Sequence, residues 1–236
     1  MPTENLTSTE TRFVDLADST VRALNQSLHQ LPKGNTSSWR ILNPRGLHSI
    51  AVGLNAPLTV DVEGHVGYYC AGMNQHAHVT VHGNCGTGVA ENIMSGSVRV
   101  KGDASQCAGA TGNGGLLIIE GNASSRCGIS LKGTDIVVGG SVGHFSAFMA
   151  QLGNLVICGD ASDALGDSLY EANIFLRGKV ASLGADCEEK EMTPAHLAIL
   201  TNLLDKAGFN FNPSEFRLYG SARKLYNFNI DHSDEY

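Results

Sequence analysis

The stretch Val98-Arg-Val-Lys-Gly-Asp-Ala104 is followed nineteen residues later by Leu117-Ile-Ile-Glu-Gly-Asn-Ala123. Nineteen later again stands Ile136-Val-Val-Gly-Gly-Ser-Val142. The register extends both ways: Gly64, Gly83, Gly102, Gly121, Gly140, Gly159 and Gly178 fall at intervals of 19 residues without slippage. Four residues before each glycine stand Val60, Val79, Val98, Leu117, Ile136, Leu155 and Ile174. Two before stand Val62, Val81, Val100, Ile119, Val138, Ile157 and Leu176. The seventh place after each glycine is always Ala or Gly. Apolar side chains at alternating positions describe a strand with one face inward. A glycine ending each strand suits a corner closed to residues with a Cβ, and the Asn or Asp that often follows it suits a turn. A strand and a corner repeated at a fixed short period predict a parallel β-helix.

The fold class is therefore all-β, with about seven coils over residues 57–187. Coils stacked at the strand spacing make a rod roughly 30 Å long. A left-handed hexapeptide helix prefers 18 residues per coil, so 19 without drift favours the right-handed form. Residues 1–56 form an N-terminal helix and lead-in, and residues 188–236 a C-terminal helix and docking tail. The first helix is expected from Asp18, as N-cap, to Leu31, with Val21, Leu24, Leu28 and Leu31 on one face and Pro32 as its breaker. Residues 33–38 read as a loop, and Ile41–Leu54 as the approach to the first coil. The second helix is capped by Thr193, opened by Pro194 and closed by Gly208. The tail from Ser214 to Phe228 holds Phe216, Tyr219, Tyr226 and Phe228 among Arg217, Arg223 and Lys224. It is too short for a core of its own and must dock.

Glycine, at 28 of 236 residues, is well above the usual share, while aromatics are 6%, which disfavours a helical bundle. A net charge of −7 without a Lys/Arg-rich run excludes a dedicated nucleic-acid binder. No stretch approaches the apolar length of a membrane span, and the first 16 residues lack an apolar signal core, so a cytoplasmic location is expected. The six cysteines form no C-x-x-C pair and read as small, reduced core filler.

Candidate chemistry is sparse. His65, His76, His78 and His82 suggest a metal site or surface imidazoles, and the surface reading is preferred because no carboxylate or thiol at matching depth completes a ligand set. The runs Gly109–Gly115 and Gly139–Gly143 lack a P-loop lysine and sit on the repeat lattice or its corners. No nucleophile, acid and base can be grouped, so no catalytic, cofactor-binding or metal residue is assigned. One row departs from inside–outside logic. Three residues before each glycine the chain reads Asp61, Thr80 and Arg99, then Ile118, Val137, Val156 and Phe175. The last four form an apolar stripe about 15 Å long that needs a cover. Either the chain's own C-terminal helix or a partner chain supplies it. Ile118, Val137, Val156 and Phe175, with Arg217, Tyr219, Arg223 and Tyr226 of the tail, are the candidate interface.

These stretches resemble the GXGXG family, the β-helix domain ending the large subunit of glutamate synthase. The chain is also similar to one of the subunits of formylmethanofuran dehydrogenase. The resemblance runs from about Leu31 to Phe228. It rests on Leu31-Pro-Lys-Gly34, Leu42-Asn-Pro-Arg-Gly46, Gly64-His-Val-Gly-Tyr-Tyr-Cys-Ala-Gly72, Gly121-Asn-Ala-Ser-Ser-Arg-Cys-Gly128, Gly140-Ser-Val-Gly-His144, Ala164-Leu-Gly-Asp-Ser-Leu-Tyr-Glu171 and Gly220-Ser-Ala-Arg-Lys-Leu-Tyr-Asn-Phe228. The C-terminal stretch is most similar to the free-standing version, the β-helix subunit of N-methylglutamate synthase.

The resemblance implies a right-handed β-helix that scaffolds a hetero-oligomeric enzyme. An amidotransferase-like subunit and an FMN-binding glutamate-synthase-like subunit are the expected partners, with any iron–sulfur cluster on the latter. The implied reaction converts methylamine and glutamate to N-methylglutamate and ammonia. The same scaffold in another glutamate-synthase-like or formylmethanofuran dehydrogenase-like complex is the alternative. An independent β-helix acyltransferase or lyase lacks its expected residues here.

Overall fold

The computed structural model describes residues 11–224. Within them the chain runs β1 (Arg12–Asp15), α1 (Val21–His29), β2 (Ser38–Leu42), β3 (Thr59–Glu63), β4 (His78–Val81), β5 (Ser97–Val100), β6 (Leu116–Ile119), β7 (Lys132–Val138), β8 (Leu152–Ile157), β9 (Asn173–Leu176), β10 (Cys187–Lys190), α2 (Pro194–Ala207) and β11 (Arg217–Ser221). The strands form one sheet ordered β1 to β9, then β11, then β10. From β1 to β9 every neighbour is parallel. From β3 to β9 the partners lie 19 apart, as in Val60 with Val79, Val98 with Leu117 and Leu155 with Ile174, except where a register shift pairs Lys132 with Leu152. The architecture is the parallel β-helix that the repeat predicts. Coils are numbered from their lattice glycines, coil one from Gly64 to coil seven from Gly178.

The alternating aliphatics point inward, and both inner rows are at most 1% exposed. A second parallel ladder joins Val66, Cys85, Ala104, Ala123, Val142, Ala161 and Val180, two residues after each glycine. The remaining wall is built of turns. Its small seventh-place residues, Ala71, Ala90, Gly109, Gly128, Ala147 and Gly166, all take φ between +53° and +68°. Only Gly adopts that region freely, and Ala carries the smallest Cβ. Space is short as well: a Cβ on Gly109 would stand 2.6 Å from Ile136 Cδ1.

The lattice glycines are required for a different reason. Only Gly64 takes a left-handed φ, +134°. The others lie against the coil below. The Gly102 amide donates to the Gly83 carbonyl at 3.1 Å, and Gly140 donates to Gly121 at 2.8 Å. A Cβ on Gly83 would fall 2.7 Å from the Gly64 carbonyl carbon, and one on Gly178 would fall 2.2 Å from the Gly159 oxygen.

Both ends are closed by the chain itself. At the start, α1 lays Leu24 and Leu28 on the core, and Asn25 Nδ2 donates to the Ser49 carbonyl at 2.8 Å. The N-cap is Thr20, which accepts from the Ala23 amide at 3.1 Å, and not Asp18. Asp18 is used in the turn after β1, where its amide donates to the Asp15 carbonyl. The approach to the first coil is itself part of the ladder, since β1 and β2 extend the sheet below β3. At the far end β11 inserts antiparallel between β9 and β10. Leu218 faces α2 and Tyr219 faces the coil interior, each 2% exposed.

Candidate functional site

The outer face of the sheet changes character halfway along. Ile118, Val137, Val156 and Phe175 form the floor of a second core, which α2 covers with Leu200, Leu203, Leu204 and Ala207. All four stripe residues are at most 3% exposed. The cover is the chain's own helix, so the stripe offers nothing to a partner. A 14-residue helix is about 21 Å long. Five strands, β9 back to β5, span about 19 Å. The helix ends where the row turns polar, at Arg99. The Arg99 guanidinium donates to the Ala207 carbonyl at 3.0 Å and to Glu120 at 2.8 Å. Lys101 reaches the same carboxylate at 2.7 Å. Burial pushes the Glu120 carboxyl up, but its bonds to Lys101 and Arg99 outweigh this and hold it below the usual range.

The uncovered part of the face is polar and internally paired. His82 bonds Asp61 at 2.8 Å and Arg40 pairs with Glu63 at 3.0 Å. A groove of about 540 Å³ beside the end of α2 is lined by His78, Thr80, Ser97, Arg99, Asp135 and Lys206, among others. His78 Nδ1 lies 2.8 Å from Ser97 Oγ, and Asp135 accepts from Asn154 at 2.7 Å.

The four histidines are dispersed over separate inter-coil contacts. His65 Nδ1 accepts from the Asn84 amide at 2.9 Å, and His76 lies against Ser95. Among the described residues no three His, Cys, Asp or Glu side chains gather to hold a metal. His65 starts a side-chain ladder up the rod. Asn84 accepts from the Asp103 amide, Asp103 from Asn122, Asn122 from Ser141, Ser141 from Asp160, and Asp160 from Lys179, at 2.7–3.0 Å. These residues follow the lattice glycines and knit each corner to the next. Five cysteines are held away from thiolate by burial, with Cys70, Cys127, Cys158 and Cys187 pushed up to about 12 and Cys85 also raised.

Over its described part the tail packs on the molecule itself, with the side chains of Arg217 and Arg223 still exposed. Arg217 donates to the Gly178 carbonyl at 2.7 Å, and Arg223 pairs with Glu171 at 2.8 Å. Tyr219 is buried in the core. The physical reason is the open edge of β9, the last parallel strand: β11 satisfies its amides and carbonyls. Tyr226 lies outside the described residues. Sequence reading missed β11 because it has no repeat partner; the alternation of Leu218 and Tyr219 was its one local signal.

No helix among the described residues is long and apolar enough to cross a membrane. No protein-family model matches the chain. It is 63% identical over 225 residues to "Protein GlxC" of Rhizobium meliloti (strain 1021), a match covering 94% of this chain and 99% of that one. With this identity over nearly the whole of both proteins, the chain belongs to the GlxC family.

Proposed function

We propose that this protein is the non-catalytic scaffold subunit of an N-methylglutamate synthase, which makes N-methylglutamate and ammonia from methylamine and glutamate. It joins an amidotransferase-like subunit to an FMN-binding glutamate-synthase-like subunit, in the cytoplasm. FMN, and any iron–sulfur cluster, belongs to the latter.

The observation that carries this reading is the use to which the chemically able side chains are put. His65, Asp103 and Asp160, which in an enzyme would serve as base or acid, each accept a backbone amide from the next coil. His78 and His82 are likewise engaged with the neighbouring coil. A structure that spends its titratable groups on its own stiffness, and covers its apolar stripe with its own helix, suits a spacer. The resemblance to the glutamate synthase β-helix supplies the type of complex.

The test is co-production of the chain with its two proposed partners. A complex that forms N-methylglutamate in a methylamine-dependent way, and loses assembly when this chain is left out, supports the reading. Partners that assemble and turn over without it refute it.

A further inference from the structure

We infer that the turn wall of coils four and five is a docking face for a protein partner presenting carboxylates among apolar side chains. The inference rests on the scaffold reading and gives it a surface.

Backbone bonds set three pairs of residues side by side across these coils. The Arg126 amide donates to the His144 carbonyl at 2.9 Å, and the Ser130 amide donates to the Phe148 carbonyl at 2.8 Å. Lys132 and Leu152 are ladder partners. Arg126 therefore lies beside Phe145, Ile129 beside Phe148, and Lys132 beside Leu152. Phe145 is 36% exposed and Leu152 is 56% exposed. The rings of Phe145 and Phe148 meet edge to face at 5.7 Å.

An exposed phenylalanine at this place in the repeat singles out the patch. Phe145 sits at φ +55°, five residues after its lattice glycine. The same place in coils one, two, three, four and six holds Tyr69, Gly88, Cys107, Arg126 and Ala164, all at φ between +57° and +73°. Met149 is likewise at φ +52° and exposed, where coils two, three, four and six place Asn92, Thr111, Ser130 and Ser168. Coil one also carries a methionine there, Met73, but the aromatic beside it, Tyr69, is half-buried. A bulky side chain in the left-handed region is strained.

Charge defines the partner. The chain carries −7 overall, yet the patch holds Arg126 and Lys132, both exposed. Neither side chain has a hydrogen bond or ion pair among the described residues. The carboxylates of the next coil are engaged: Asp163 accepts from Ser182, and Asp167 accepts from Ser168 and the Ala185 amide. Two cations beside the exposed Phe145 ring match the Arg-and-aromatic composition of binding hot spots. They are too few for a nucleic acid. By contrast, exposed Tyr68 is already stacked on His48 at 3.7 Å.

The test uses the full chain, tagged and co-produced with its two proposed partner subunits, and measures the Kd of each partner. Arg126→Glu and Phe145→Gly should each weaken one partner by at least about tenfold. Phe145→Gly should do so with a melting temperature no lower than wild type, because glycine relieves the positive φ. Arg22→Glu, at the far end of the rod, should leave binding unchanged. A wild-type chain that binds neither partner overturns the scaffold reading and the patch with it. A wild-type complex that both patch variants form equally well overturns the patch alone. A wild-type homodimer that the variants abolish assigns the face to a second copy, against the partner proposed here.

Discussion

The Arg99 guanidinium lies 3.0 Å from the Ala207 carbonyl, tying the fifth strand to the last turn of α2. Arg99 is the last polar member of its row, and Ile118, one coil on, is the first apolar one. The helix stops where there is no more apolar strand to cover, and the arginine at that boundary caps its carbonyls. Cations at a helix C-terminus are favourable. Arg99→Ala should cost about 1–2 kcal/mol, read from thermal or urea unfolding of the full chain.

Glu120 holds Arg99 and Lys101 in place, so the cap should be sensitive to acid. Its folded pKa is lowered from the ordinary 4.5. A carboxyl depressed by folding contributes stability above its unfolded pKa and loses it as pH falls through the folded value. Melting temperature should drop as pH falls below about 4.5, and Glu120→Gln should flatten that part of the profile. An unaltered acid limb in the variant would remove Glu120 from the account.

Val137 is wholly buried beneath α2. Val137→Asp places an unpaired carboxyl between sheet and helix and should cost upwards of about 4 kcal/mol. The damage should appear in the isolated chain, as loss of its folded fraction. A variant that melts normally alone and fails only in assembly would mean that α2 is not the cover.

A Cβ on Gly121 would stand 2.4 Å from Asp103 Oδ1 and 2.9 Å from the Gly102 oxygen. To make room, Asp103 must give up its bond to the Asn122 amide. Gly121→Val should cost several kcal/mol through close approach, with no part played by φ. Gly64→Ala should be strained by its φ of +134° instead. An unchanged melting temperature for Gly121→Val would contradict the corner geometry.

Most of the rod was legible in the sequence, because a parallel β-helix writes its register as a period. Val60 to Ile174 and the lattice glycines declared strand, face and corner together. The turn wall was less legible. Residues such as Phe145 and Tyr69 take a left-handed φ that side-chain type does not announce. The cover of the stripe could not be chosen from the row itself, since an apolar outer row looks the same beneath the chain's own helix or a partner. The match between a 14-residue helix and the stripe it crosses is the discriminating feature. β11 lay hidden for a related reason: strand insertion at an end happens once, so it leaves no repeat to read.

The buried thiols provide a direct check on the stacked core. Cys70, Cys127 and Cys158 are buried and pushed up to about 12, so none of the three should react with a thiol probe near pH 8 until the chain unfolds. Fast labelling of Cys70 or Cys127 in the native protein would show that the coils open.

The central claim is that this chain assembles an enzyme and performs none of its chemistry. The most direct measurement is methylamine-dependent N-methylglutamate formation by the co-purified assembly of all three chains, alongside the isolated chain and the two partners without it. The account predicts turnover by the full assembly alone. It also predicts no FMN absorbance on the isolated chain and no stable association of the partners in its absence. Turnover or bound flavin in the isolated chain, or full activity of the partners without it, would contradict the account.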